Sequence, residues 1–184
     1  MIRVGLRIAD AIDAATRGIG RAAMWLALAV VLVQFGVVVL RYVYSMSYVW
    51  AQESVIYAHA SLFMLAVGYT FLVDQHVRVD VLYGGWSARR KALTDLVGIL
   101  IAVLPFCALV IWASWGYALN SWRISEGPMA LGGVPFVQWL KSLIPIMAVL
   151  LLLQSVAIGL RCIAVLTGHA ETHFPARPQH SSHG

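Results

Sequence analysis

The chain has 184 residues, of which 61% are hydrophobic and only 11% charged, and its mean hydropathy is +0.81. Soluble domains carry about 25% charged residues, so the charges here are too few to cover a water-facing surface, and lipid must be the solvent for much of the chain. The net charge of +5 comes without a basic–aromatic patch, which points away from nucleic acid. The 2 cysteines, Cys107 and Cys162, lie within apolar runs and form no CxxC pair, which excludes a disulfide framework and a four-cysteine zinc site.

Segment 1–21 precedes the first apolar run and is predicted to be an amphipathic helix at the cytoplasmic membrane face. Ile8, Ile12, Ala15 and Ile19 fall on one helical face, and Arg3, Arg7, Asp10, Arg17 and Arg21 form a polar stripe suited to headgroups. The apolar run that follows is too long for the core of a signal peptide, so it reads as an uncleaved spanning helix.

A helix needs about 20 apolar residues to cross about 30 Å of hydrocarbon. Runs near 22–44, 54–73, 94–117 and 140–166 meet that length. The expected fold is therefore an all-α integral membrane domain, 22–167, with four transmembrane helices. The stretch 168–184, with His169, His173, His180 and His183, has too few apolar residues to fold alone and reads as a disordered His-rich tail.

Lys and Arg set the orientation. Of the 13, Arg41, Arg123 and Lys141 fall in the connections after the first and third spans. All the others fall at the N-terminus, between the second and third spans, or at the C-terminal side. Both termini are thus expected in the cytoplasm.

Ionisable groups within a span are costly and mark function by default. The spans hold Gln34, His59 and Gln154, with Arg161 near the end of the fourth, where it is expected to snorkel. No Asp or Glu lies at mid-membrane, which argues against a transporter that carries its substrate and ion alone. His59 has no second mid-span histidine with which to ligate haem, so it reads as a hydrogen-bonded packing residue. No cofactor, metal site or catalytic residue is indicated. Pro105 and Pro145 are placed to kink the third and fourth helices. Trp50 and Glu53 share one face at the start of the second. Trp50 suits an interface anchor, and Glu53 either caps that helix or pairs with Arg41. His76-Val77-Arg78-Val79-Asp80 alternates polar and apolar residues after the second span, as a structural or docking segment.

In this order the motifs resemble the small membrane subunit of tripartite ATP-independent periplasmic (TRAP) transporters, the DctQ-like family. The residues that carry the likeness are Arg41-Tyr42, Trp50-Ala51-Gln52-Glu53, His76 to Asp80, Ser125-Glu126, Gly132-Gly133-Val134-Pro135, Lys141 and Pro145, and the Leu-rich run ending at Gln154. The resemblance implies a non-enzymatic permease subunit of the bacterial inner membrane. It also implies a large TRAP membrane subunit that holds the substrate and sodium sites, and a periplasmic substrate-binding protein that delivers an organic acid. Arg41, Trp50, Glu53, His76, Arg78, Asp80 and Lys141 are then expected to position helices against the large subunit. The alternative is an independent four-helix membrane scaffold or a small transporter unrelated to TRAP systems.

Overall fold

A computed structural model describes residues 2–73, 86–128 and 130–169 of the chain. The docking segment with His76, Arg78 and Asp80, and the tail beyond His169, lie outside the described residues. Among those described, the structure is helical, with no strand. Four helical stretches are long and apolar enough to cross a membrane, namely Ile2–Tyr42, Val49–Leu72, Ala88–Arg123 and Val137–Leu166.

The first, α1 (Ile2–Tyr42), is one helix of 41 residues, with no proline to break it. At about 1.5 Å per residue it is about 60 Å long, twice the hydrocarbon thickness. Segment 1–21 and the first span are therefore continuous rather than separate elements. The face that α1 buries is Ala9, Asp13, Thr16, Gly20 and Ala23. The isoleucine stripe is not this face, since Ile8 is exposed. Small residues let two helix backbones approach closely, which matters more in lipid than apolar bulk. The chain leaves α1 through Ser45 in the left-handed region, φ 55, while the Met46 N–H donates to the Leu40 carbonyl at 2.9 Å. That short turn folds α2 (Val49–Leu72) back along α1.

The third stretch has two α segments, α3 (Ala88–Gly98) and α4 (Leu104–Arg123), joined by a π-helical turn over Ile99–Val103. The cause is visible in the sequence. Pro105 lacks an N–H, and its ring crowds the carbonyl of the preceding turn. The wider π turn lets the Leu104 N–H reach Ile99 O instead. Pro145 sits inside the last helix, α5 (Val137–Leu166).

α5 is the centre of the bundle. It packs against α1, α2, α3 and α4, whereas α1 and α2 also pack on each other. Its fully buried positions include Leu143, Ala148, Gln154, Ser155, Ala157 and Cys162. One apolar cluster joins Ala92, Ile99, Ile158, Cys162 and Val165. Elsewhere glycines set the spacing. Gly68 of α2 lies 3.5 Å from the Leu150 carbonyl, counted from where a Cβ would stand. At Gly20 a Cβ would lie 2.5 Å from the Tyr69 ring root, too close for any side chain.

Gly20→Val should therefore lower the thermal unfolding midpoint of the detergent-solubilised chain, by an amount corresponding to about 1–3 kcal/mol. Adding Tyr69→Ala should recover part of the loss, as read by far-ultraviolet circular dichroism.

Candidate functional site

Two groups of polar side chains tie the helices, one at each end of the bundle. At the end with the connections 43–48 and 124–136, the key residue is Glu53, in the first turns of α2. Its Oε2 accepts the Val134 backbone N–H at 2.7 Å, and the Tyr57 hydroxyl donates to the Val134 carbonyl at 3.4 Å. Gly133 lies against the carboxylate, where any Cβ would collide with it. Gly132 turns the loop with φ +78, a left-handed conformation that favours glycine. Glu53 thus takes neither expected role: its carboxylate holds the loop that leads into α5. A buried backbone N–H needs an acceptor, and a charged one makes a strong tie.

The same end holds a second tie. Glu126 Oε2 accepts from Ser121 Oγ at 2.6 Å and pairs with Lys141 Nζ at 2.5 Å. The ammonium also stands over the Tyr117 ring, 4.2 Å from its centroid, a cation–π contact. Hydrogen bonds from Lys141 and Ser121, together with the positive charge of Lys141, hold the Glu126 carboxyl below its ordinary range. Two tryptophans complete the end. Trp122 Nε1 donates to Ser142 Oγ at 2.8 Å, and Trp139 Nε1 donates to Ser61 Oγ at 3.1 Å. Every one of these tethers reaches α5 or the loop just before it. Arg41 and Trp50 are exposed and lie outside this network, the Trp50 ring packing near Tyr48 at 6.1 Å.

The opposite end carries a buried ion network. Arg161 of α5 does not snorkel. It pairs with Asp13 at 2.6 Å and Asp10 at 2.7 Å, both on α1. The Asp13 side chain is 6% exposed and that of Arg161 9%, so the pair is shielded from water. Gln154 Nε2 donates to Asp13 Oδ1 at 2.9 Å, which extends the tie about two turns along α5. Sequence reading placed Asp10 on a headgroup-facing stripe and assigned Asp13 no role. The signal available was the i,i+3 pair of acids before the first span, set against a fourth span with a single basic residue near its end, Arg161.

His59 also differs from its expected placement. It lies on the exposed face of α2, its ring centroid 6.2 Å from that of Phe63. Between α4 and α5 runs an apolar groove of about 290 Å³, walled by Trp115, Trp122, Pro145 and Val149 among others.

The arrangement defines a class: a polytopic helical membrane protein in which Glu53, Glu126, Lys141, Asp13, Gln154 and Arg161 tether the chain's own helices and loops. Residues 19–164 match the family described as "Tripartite ATP-independent periplasmic transporters, DctQ component", and the chain belongs to that family. Among similar proteins, the C4-dicarboxylate TRAP transporter small permease protein DctQ of Vibrio cholerae serotype O1 is 34% identical over 91 residues. That match covers 48% of this chain and 38% of the relative, so the chain spans less than half of the relative's length. No solved structure matches the chain. The family match opens at residue 19, so Asp10 and Asp13 lie before it while their partners Gln154 and Arg161 lie within it.

Breaking a buried ion pair from one side leaves an uncompensated charge and costs about 3–5 kcal/mol. Arg161→Leu should destabilise the chain on that scale, and Arg161→Leu with Asp13→Asn and Asp10→Asn should recover most of it in thermal melts. The Glu126 tie has a pH signature. Its lowered folded pKa means its contribution is fully present above the unfolded value and is lost as pH falls through the folded one. Protection of the backbone amides of the loop before α5, corrected for the intrinsic pH dependence of exchange, should hold through the ordinary carboxylate range and be lost only below it. Glu126→Gln should remove that step.

Proposed function

We propose that this chain is the small permease subunit of a binding-protein-dependent TRAP transporter and acts by scaffolding a large transport subunit. The observation that supports this reading best is where the polar groups go. Glu53, Glu126, Lys141, Arg161, Asp13 and Gln154 all make helix-to-helix or loop-to-helix ties. A substrate path needs polar groups turned toward a cavity, whereas the groove between α4 and α5 is lined chiefly by apolar side chains. A chain built this way serves as a stator beside moving parts. It has no catalytic activity of its own.

In this proposal the chain lies in the bacterial inner membrane with both termini cytoplasmic. The end carrying Glu53 and Glu126 then faces the periplasm, where a substrate-binding protein delivers its cargo to the large subunit. The relative's name refers to C4-dicarboxylates, and an organic acid imported with sodium is the corresponding expectation. Arg41, Trp50 and Glu53, with His76, Arg78 and Asp80, orient α2 and its flanks toward the large subunit, and Lys141 does the same for the start of α5.

Co-expression with and without its genomic neighbours, followed by purification in mild detergent, tests the assignment. A fixed-ratio complex is expected, and a chain that purifies alone overturns it. Glu53→Ala removes a charged acceptor worth about 1.5–3 kcal/mol and frees the loop before α5. It should lower complex yield and uptake together, without a new substrate preference. Unchanged assembly and uptake would remove Glu53 from the scaffold.

A further inference from the structure

Along α2 the only exposed residues between Ala51 and Leu72 are Ile56, His59 and Phe63. They share one face. The buried residues Tyr57, Ser61, Gly68 and Leu72 lie on the other, against the rest of the bundle. His59 is thus the polar centre of an outward ridge, with Ile56 57% and Phe63 72% exposed on either side. It stands close to the midpoint of a helix running from Val49 to Leu72.

This placement conflicts with the solvent. Ionisable side chains within a span almost always face the bundle interior, a water-filled cavity or a partner group. Among the described residues no hydrogen-bonding group meets either ring nitrogen of His59, and its ring contact is with Phe63. Glu53, at the loop end of α2, is six residues or about 9 Å along the helix from His59, farther than an imidazole reaches. Gln52 and Thr70, polar residues nearer the two ends of the helix, bond to Ser47 and to the Ala66 carbonyl respectively. His59 has no such local answer.

We infer that the Ile56–His59–Phe63 ridge is a docking face for one membrane-spanning helix of the large transport subunit, which offers a hydroxyl, amide or carboxylate at mid-depth to the His59 imidazole. The inference rests on the proposed function and adds the face and the chemistry of the contact. Ile56 and Phe63 supply the packing on either side, and the single polar contact sets the register between the two helices.

The test uses the tagged full-length chain titrated with the purified large subunit in mild detergent. His59→Leu should weaken association by about three- to twentyfold, the range of one interhelical hydrogen bond in a membrane. His59→Gln, which keeps a donor and an acceptor, should retain wild-type binding. The lone His59→Leu chain should melt no lower than wild type, because leucine suits lipid better than imidazole. A photo-reactive benzophenone side chain at Ile56 or Phe63 should cross-link to the large subunit. Wild-type affinity in His59→Leu, with the wild-type complex intact, overturns the docking face and leaves the proposed function standing. Cross-links to a second copy of this chain overturn the occupant, and a destabilised lone His59→Leu chain makes the residue structural. If the wild-type chain recovers no large subunit, the proposed function falls and takes this occupant with it.

Discussion

Hydrocarbon gives one apolar helix no reason to prefer another over lipid tails. Four helices as apolar as these need other forces to hold one arrangement, and the available forces are close packing and hydrogen bonds or ion pairs shielded from water. The Arg161–Asp13 pair is where this constraint is met most fully. It joins the helix in the middle of the bundle to the first helix of the chain. It also fixes the rotation of both, because two charges buried together must face each other. The close approach of Gly20 to Tyr69 and of Thr16 to Gly68 follows once α1 is held in that register.

The loop end solves a different problem. A connection at a membrane surface has backbone groups that water can satisfy in many conformations, so it fixes nothing by itself. Glu53 narrows the choice by taking the Val134 N–H, and Glu126 does so by taking Lys141 and Ser121. The entrance to α5 is thereby held at two points from two different helices. Combined with the Arg161 network, α5 is pinned at both ends. That rigidity supports the stationary role proposed above.

Much of this was legible from the residues alone. The four apolar runs appear as helices, with the ends shifted by the continuity of α1 and by the early start of α3. The motifs around Glu53, Gly132 to Pro135 and Lys141 were visible singly. Their meeting was not, because Glu53 and Val134 are far apart in the chain and no local pattern encodes which loop a carboxylate will hold. Arg161 misled for a physical reason. An arginine near a helix end can reach headgroups or an interior acid with equal ease, and only the neighbouring helix decides. The isoleucine stripe of 1–21 misled in a related way: apolar periodicity identifies a face that avoids water, but the face that meets another helix in lipid is the one with small side chains, here Ala9, Thr16, Gly20 and Ala23.

The π turn at Ile99–Val103 bears on how this third stretch tolerates change in length. A π turn is in effect an α-helix carrying one surplus residue, and each residue of an α-helix advances the side chains by about 100°. The turn therefore sets the angular phase between α3, which meets the lower part of α5 through Ala92 and Leu96, and α4, which meets its upper part through Trp122 and Ser142. Loss of a single residue at Ile99–Val103 is absorbed by reverting to an ordinary α turn, which leaves the faces of α3 and α4 in their present phase. Length variation among related chains would accordingly collect at this turn, since a residue lost elsewhere in the stretch would rotate every side chain between that point and the turn by about 100°.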